Sequence, residues 1–559
     1  MKNSSDSSHH LQGLDYIIFI LMLCISTGIG IFFGCFGKKL EANSVFVVDR
    51  SMGSIPVSMS LFASFISSAT ILGTPLEVYN SGIMFMWSIV GFAISCIITC
   101  QVFVPLFIRL GYTSAYEYLE KRFDKKVKYL ATAIFITQTL LYLAFVLYGP
   151  AVAIHTATKM NLWVLVITIG VISTFYTTVG GMVTVMWTDV FQVLVICFGI
   201  VLILMVGLNK SGGLSRVIET NWSYNRIHLF NLDIYPNSRH TILSLTLGYG
   251  FQWLGIFGAN QSQIQRYMCA SSLKVAKRAV YINLAIYSFV VMILLLIGMN
   301  IFAVNDGCDI LGNRDGEILF PEFVMNELYD LNGLPGVFLA LLFAASLSSI
   351  SSGLNSLTAV TLESILKGLF KMEFNEKKCI QMSMILSILY GILVLSLTYI
   401  PHLLKDTLQA VLSLFSITCG PILGMFIVGF FFPFTNSNGA FFGGLLSFIF
   451  SVFIYINFYV FESNLIKNIF NQNCSCTLKN TTSNDYTILN ITYEWYGFIA
   501  VLIVIIFGSV ISCFTKPIKL NLIQRDYVHP KSFDLYSKLC NKIRIGILGF
   551  NQCQTIDEN

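Results

Sequence analysis

Residues 59–75 have the sequence MSLFASFISSATILGTP, and residues 343–361 have the sequence FAASLSSISSGLNSLTAVT. Both stretches are apolar enough for a membrane span, yet serine and threonine recur along them, and the first contains Gly73 and Pro75. Glycine and proline interrupt helices, and nearby hydroxyls satisfy the backbone groups that an interruption frees. The first stretch therefore predicts a broken helix with unwound carbonyls suited to a hard cation, and the second predicts its hydroxyl-rich partner.

A third apolar run, residues 241–262, carries a glycine cluster that also favours an interruption. Its glycines are Gly248, Gly250, Gly255 and Gly258. This run lies five spans after the first interrupted one, and two broken helices in corresponding positions are typical of inverted-repeat transporters. We therefore predict a first inverted repeat over residues 57–208 and a second over residues 241–433.

The rest of the chain has the composition of a protein that crosses the membrane many times. Of 559 residues, 55% are hydrophobic and only 11% are charged. About thirteen apolar runs approach the roughly 20 residues that a helix needs to cross the hydrocarbon core, and backbone groups in lipid require helices. These runs lie near residues 14–37, 57–80, 83–108, 127–157, 162–178, 183–208, 241–262, 279–303, 336–364, 379–400, 406–433, 437–461 and 495–515. We predict an all-α polytopic membrane protein with a transporter domain over residues 14–515, in which residues 437–515 add helices beyond the repeats.

Basic residues in the loops predict the orientation of the chain. Most of the 34 Lys and Arg residues fall in segments that are cytoplasmic if the N-terminus is extracellular. Residues 1–13 are then extracellular, residues 516–559 form a cytoplasmic tail, and we expect a multi-pass plasma-membrane protein. The net charge of +5 reflects this topology and predicts no nucleic-acid partner.

Asn-x-Ser/Thr sequons agree with this orientation, because glycosylation takes place outside the cell. Three sequons crowd the predicted outer loop before the last span, and two more, at Asn209 and Asn221, lie in an earlier outer loop, where Asn209 is expected to be too near the membrane. The predicted glycosylation sites are Asn473, Asn480, Asn490 and Asn221. Cys308, Cys474 and Cys476 are also expected outside, which allows one disulfide whose pairing the sequence leaves open.

Charged residues are almost absent from the predicted spans. Glu77, Asp189 and Glu363 are expected near span ends, and no Asp, Glu, Lys or Arg is expected at a midplane position. Intramembrane charges usually mark ion or proton pathways. We therefore predict neither proton coupling nor a cationic substrate. We also expect no enzyme, because the interior lacks an acid–base pair.

Four motifs resemble those of the sodium/solute symporter family and occur in the family's order. They are GGMVTVMWTDVFQ at 180–192, GANQSQIQRYM at 258–268, FAASLSSISSGLNSLTAVTLE at 343–363 and GPILG at 420–424. The resemblance implies a LeuT-like five-plus-five inverted repeat with extra flanking helices. It also implies Na⁺ as the coupling ion and only metal, with no organic cofactor.

The resemblance implies a sodium site made of two carbonyls from the first core helix and of one carbonyl and two hydroxyls from the eighth. The matching residues are Ala63, Ile66, Ala345, Ser348 and Ser349. The last three are spaced i, i+3, i+4 and share one helix face. Asp189 matches a family acid near the sodium exit, where it either assists ion release or serves as a structural cap or loop anchor.

The stretch ILGTPLEVY, residues 71–79, resembles the branch of the family that carries iodide, monocarboxylates and the vitamins biotin, pantothenate and lipoate. Asn80 departs from that branch, which often has a basic residue there. The substrate residues implied by the resemblance are Thr70, Tyr148, Trp253, Phe257, Gln409 and Ser413. Ile89 and Phe92 replace polar residues of some anion carriers, which favours an organic carboxylate over a halide.

Together these features predict a sodium-coupled symporter that imports a small organic anion by alternating access. Its expected partners are the substrate, Na⁺ and the lipid bilayer. One alternative is a sodium/sugar or inositol symporter. Another, from a different class, is a channel or a nutrient sensor that does not transport.

Overall fold

The computed structural model describes residues 11–36, 50–238, 240–305, 316–329, 331–403, 407–469, 491–515, 517–518 and 524–546. Its regular secondary structure is helical, apart from one isolated bridge between Met52 and Ala270. Ten helices in this part of the chain are long and apolar enough to cross a membrane, and a helix pair bent by 65° makes an eleventh candidate span. The all-α fold class is confirmed, and the count of about 13 spans stays a prediction.

The helices are numbered here in chain order. The first ten are α1 (Gly13–Phe36), α2 (Ser54–Ala63), α3 (Ser68–Ser81), α4 (Ser88–Ile98), α5 (Val104–Leu110), α6 (Glu117–Arg122), α7 (Lys125–Thr158), α8 (Leu162–Ser211), α9 (Leu214–Ser223) and α10 (Tyr249–Ala259). The next ten are α11 (Gln261–Met268), α12 (Leu273–Val304), α13 (Leu319–Glu327), α14 (Leu334–Val360), α15 (Glu376–Leu397), α16 (Tyr399–His402), α17 (Thr407–Phe431), α18 (Ser437–Ile469), α19 (Tyr493–Phe514) and α20 (Pro530–Gly546).

The chain unwinds between α2 and α3, as predicted for this span. The Ser67 amide donates to the Phe65 carbonyl at 3.1 Å, although in a continuous helix it would donate to Ala63, four residues back. The Ala63 carbonyl is thereby left outside the helical ladder. Gly73 and Pro75, which suggested the interruption, lie inside α3.

The second broken helix is interrupted at Asn260, between α10 and α11. The Asn260 backbone is extended (φ −89°, ψ 128°), and its side chain accepts a hydrogen bond of 2.9 Å from the Ser262 amide, which caps α11. The four glycines expected to interrupt this span are instead helical. The prediction that they cause the interruption was therefore wrong. They allow close helix packing: a Cβ on Gly248 would lie 2.5 Å from the Glu494 carbonyl oxygen.

Helix α8 changes direction at Gly181, so that the predicted spans 162–178 and 183–208 are its two arms. Gly181 has φ 63° and ψ 177°, a conformation that an L side chain rarely adopts. The first apolar arm, Leu162–Phe175, is shorter than the ten full-length candidates. The glycine therefore joins two predicted spans without an intervening loop.

Helix α14 lies at the centre of the bundle and packs against α1, α7, α8 and α15. Almost all of its side chains are buried, including those of seven of its serine and threonine residues. Buried hydroxyls need partners. The hydroxyls of α14 are therefore positioned to meet the unwound segment between α2 and α3.

Candidate functional site

The end of α2 and the middle of α14 bring several oxygen atoms together. Ser348 Oγ lies 2.8 Å from the Ala63 carbonyl oxygen and 3.0 Å from that of Ala345. Ser349 Oγ lies 3.4 Å from the same Ala63 oxygen. Ile66 is buried in the unwound segment, three residues after Ala63. The structure thus brings four of the five predicted sodium ligands together and places the fifth nearby.

These oxygens are neutral, which suits a monovalent hard cation better than a divalent one, because strong calcium sites rely on carboxylates. The Ala63 carbonyl is not used by its own helix, and a serine hydroxyl can rotate to present a lone pair. No group of His, Cys, Asp or Glu residues that could hold a metal occurs in the described part of the chain. The residues present therefore fit Na⁺ as a transported ion.

A cavity lies among α3, α7, α10, α12 and α17. Its wall combines aromatic rings, aliphatic side chains and a few hydroxyls. The lining residues are Phe65, Thr70, Thr74, Phe85, Tyr142, Tyr249, Trp253, Ile256, Tyr287, Leu408, Val411, Leu412 and Phe415. None of these side chains is a carboxylate, ammonium or guanidinium, so a charged substrate needs a counter-charge from elsewhere.

Two of the six predicted substrate residues, Thr70 and Trp253, line this cavity. The other four do not. Tyr148 lies within 3.2 Å of a ring nitrogen of His402, and Phe257 packs behind Trp253 at a ring-centroid distance of 6.0 Å. Gln409 and Ser413 belong to α17, as do lining residues adjacent to them in sequence.

Tyr142 connects the cavity to the oxygen set around Ala63. A smaller neighbouring cavity contains Ser349 in its wall and shares Phe65, Tyr142 and Phe415 with the larger one. The Tyr142 hydroxyl donates to Ser349 Oγ at 3.5 Å. A solute in the larger cavity and an ion near Ser349 would therefore touch the same side chains.

Comparison with known proteins identifies the family. The model described as "Sodium:solute symporter family" matches residues 45–447, well over half of the chain. The chain belongs to the sodium:solute symporter family. The resemblance inferred from the four motifs is thereby confirmed.

Relatives in this family agree on the use of sodium. A "Sodium-coupled monocarboxylate transporter 1" of Xenopus laevis is 38% identical over 471 residues, which cover 83% of this chain and 76% of the relative. A "Sodium-dependent multivitamin transporter" of Oryctolagus cuniculus is 39% identical over 447 residues, which cover 79% of this chain and 70% of the relative. The structure resembles that of a Na⁺-coupled sialic acid symporter, with a TM-score of 0.75 and 25% identity. The match covers 90% of this chain and 99% of the symporter chain. The LeuT-like fold class is confirmed.

This member of the sodium:solute symporter family has a buried ion pair beside the candidate site. Asp189 Oδ2 lies 3.8 Å from Arg266 Nη2 and accepts a hydrogen bond of 2.6 Å from Ser60 Oγ. Arg266 also donates to Ser60 Oγ, the Ser262 carbonyl and Ser352 Oγ. Both charged side chains are fully buried. Charges were expected to be almost absent from the spans, and pairing makes burial of these two charges tolerable.

Sequence reasoning missed this pair because it judged each residue by hydropathy alone. It placed Asp189 near a span end and expected basic residues in the loops. A signal was present, since both charges lie inside the motifs 180–192 and 258–268 that carried the family resemblance. Glu77, expected near a span end, lies in the last turns of α3 and is buried there.

The predicted glycosylation of Asn221 conflicts with the structure. Asn221 is 1% exposed, and its amide nitrogen donates to the carbonyls of Val217 and Met299 at 2.8 and 3.0 Å. The nitrogen that a glycan would occupy therefore has both of its hydrogens engaged inside the protein. Asn473, Asn480 and Asn490 lie outside the described residues, as do Cys308, Cys474 and Cys476.

The buried ion pair predicts an asymmetric mutational cycle. Arg266→Gln should lower the free energy of unfolding by roughly 3–5 kcal/mol, because it leaves the Asp189 carboxylate buried without a cation. The double variant Asp189→Asn/Arg266→Gln should be more stable than Arg266→Gln alone. Thermal unfolding of the purified protein measures both effects.

Lys367→Gln is the control for this cycle, because it breaks a half-exposed ion pair with Glu363 at 2.7 Å. Its effect should stay within about 1 kcal/mol. If the double variant were no more stable than Arg266→Gln, Asp189 would not depend on Arg266 for its charge.

Proposed function

We propose that the protein is a sodium-coupled symporter that imports a small organic anion across the plasma membrane by alternating access. The observation that carries this proposal is the contact between two parts of the core. A neutral oxygen set around Ala63 and Ser348 lies next to an uncharged cavity, and Tyr142 belongs to both. The family's use of sodium supports sodium coupling, and the lining of the cavity supports an organic anion as the substrate.

The coupling follows from the electrostatics of the cavity wall. An anion that leaves water for a wall without cations loses hydration that nothing replaces. A sodium ion held near Ser349 supplies the missing positive charge across the shared Tyr142. Such coupling is reciprocal, so the bound anion raises the affinity for Na⁺ by the same factor.

The cavity favours a carboxylate with an apolar body. The indole N–H of Trp253 is buried in the cavity wall beside the Tyr249 hydroxyl, where it can donate to a carboxylate oxygen. The aromatic and aliphatic wall suits the rest of such a molecule. The monocarboxylate and multivitamin relatives point to the same class, which includes biotin, pantothenate and lipoate.

Several finer assignments belong to this proposal. The five sodium ligands are Ala63, Ile66, Ala345, Ser348 and Ser349. The two repeats are residues 57–208 and 241–433, with further helices over 437–515. Residues 1–13 face the exterior and residues 516–559 face the cytoplasm. Asp189 assists sodium release, since Arg266 beside it also bonds Ser352, whose hydroxyl donates to the Ser348 carbonyl.

A radiolabelled uptake panel in proteoliposomes tests the function. With an inward Na⁺ gradient we expect saturable uptake of pantothenate or lactate, and no competition by glucose. Replacing Na⁺ with choline should reduce uptake at least about tenfold, because the cavity then lacks a counter-charge. Uptake that is unchanged in choline would rule out sodium coupling, and competition by glucose alone would point to a sugar carrier.

Ser348→Ala tests the ion site. Removal of one of five oxygen ligands should raise the half-saturating Na⁺ concentration about tenfold, equivalent to roughly 1.4 kcal/mol. Thr358→Val is the matched control, because the Thr358 hydroxyl bonds only carbonyls of its own helix, those of Leu354 and Asn355. An unchanged Na⁺ dependence in Ser348→Ala would remove that hydroxyl from the ion site.

Trp253→Phe tests the substrate site by deleting the indole N–H while keeping an aromatic ring. Loss of a hydrogen bond to a charged group costs roughly 1.5–3 kcal/mol. We therefore expect the KM for the carboxylate to rise by about tenfold or more. Trp163→Phe, at a partly exposed tryptophan stacked on Tyr399, should leave KM unchanged. Equal KM values for the two variants would contradict the assigned role of Trp253.

A further inference from the structure

Three titratable side chains that belong to neither the proposed sodium ligands nor the cavity lining meet in a second buried cluster. His240 Nε2 lies 2.6 Å from Glu77 Oε1, and His240 Nδ1 lies 2.9 Å from Glu494 Oε1. The side chains of His240, Glu77 and Glu494 are 5%, 2% and 0% exposed, respectively. The transport proposal uses none of them, so their burial together calls for a different explanation.

The geometry of this cluster requires a bound proton. Ionised carboxylates only accept hydrogen bonds, and a neutral imidazole donates from only one of its two nitrogens. If all three groups were fully deprotonated, a nitrogen lone pair would face a carboxylate oxygen at hydrogen-bond distance. One additional proton, on the ring or on a carboxylate, converts both close contacts into hydrogen bonds.

The groups around the cluster favour keeping this proton bound to it. The second oxygen of Glu494, Oε2, is buried and has no hydrogen-bond partner among the described residues. Glu77 Oε1 also accepts a bond of 3.3 Å from Ser81 Oγ. Arg226 comes from the same loop as His240, but its guanidinium donates to the backbone carbonyls of Val78 and Tyr79.

The other described side chains that pack near the cluster are aromatic and uncharged. Tyr249, which interacts electrostatically with Glu494, places its hydroxyl 3.2 Å from that of Tyr287. The Phe85 ring packs edge-on against the His240 ring, with a centroid distance of 5.8 Å. Among these described contacts, the two carboxylates are the groups that balance the charge of a protonated imidazole.

The cluster joins three segments that are far apart in the chain. Glu77 lies in the last turns of α3, His240 in the loop that leads to α10, and Glu494 in the first turn of α19. Helices α3 and α10 each belong to a broken helix pair of the transport core. Phe85 touches His240 and also lines the substrate cavity, so the cluster adjoins one edge of that cavity.

We propose that Glu77, His240 and Glu494 form a proton-binding site that fastens the ends of α3 and α10 to α19, and that loss of the proton releases this end of the bundle. In the orientation proposed above, this end faces the exterior. The bound ligand is a single proton, and external pH therefore controls how firmly the edge of the cavity is closed.

The pH range follows from the environment of His240. Burial by itself lowers the pKa of His240, but the charges of Glu494 and Glu77 and the hydrogen bonds to them outweigh burial and raise it to about 9. An exposed histidine has a pKa near 6.5. The stabilisation is therefore fully present below about pH 6.5 and is lost as the pH rises through about 9.

The test is thermal unfolding of the purified full-length protein between pH 6 and 10, which needs no transport activity. In the unaltered protein the midpoint temperature should fall by roughly 2 °C or more between pH 7 and pH 10, beyond the fall seen in His240→Gln. His228→Gln, at an exposed histidine of the same loop, is the matched control and should follow the unaltered protein. If His240→Gln showed the same pH dependence as the unaltered protein, the proposal would be overturned.

Glu494→Gln provides a second reading if His240→Gln fails to fold. It keeps the shape of the side chain and removes one of the charges that hold the proton. The pH at which the protein loses stability should move down by about one unit or more, because an opposite charge beside an ionisable group shifts its pKa by that amount. An unchanged pH midpoint would also overturn the proposal.

Discussion

The fold depends on a polar partner for the Ala63 carbonyl at the end of α2. In an apolar interior a backbone carbonyl without a partner is costly, so the unwound segment between α2 and α3 can persist only against a source of hydroxyls or a cation. Helix α14 provides the hydroxyls of Ser348 and Ser349. The same constraint that stabilises the break therefore creates a place where an ion can exchange with hydrogen bonds.

Side chains in direct contact connect this segment to the cavity and to the buried ion pair. Towards the cavity, Tyr142 links Ser349 to the aromatic wall. In another direction, the Ser348 carbonyl accepts from Ser352, which is bonded to Arg266, and Arg266 is paired with Asp189. The proposed ion site, the proposed solute site and the buried ion pair therefore all connect to one segment of α14. Close packing of this segment means that a change at one of these groups is felt by the others.

Local sequence patterns predicted well those features that depend on neighbouring residues. Hydroxyl-rich apolar runs marked the broken helix and its partner helix, and the i, i+3, i+4 spacing of Ala345, Ser348 and Ser349 placed them on one helix face. The same reasoning misjudged the cause of the second break, which lies at Asn260 and not at the glycines. Glycine provides both flexibility and close helix contact, and sequence alone does not distinguish the two uses.

The sequence by itself determined that the chain is an all-α membrane protein of the sodium:solute symporter family, because apolar length and local motifs decide both. Only the tertiary structure decided which charges are buried together. Asp189 meets Arg266, and Glu77 meets His240 and Glu494, across 77 or more residues of chain. A charge is tolerated in the interior only with its partner in place, and that partner is chosen by packing between helices, which no single span encodes.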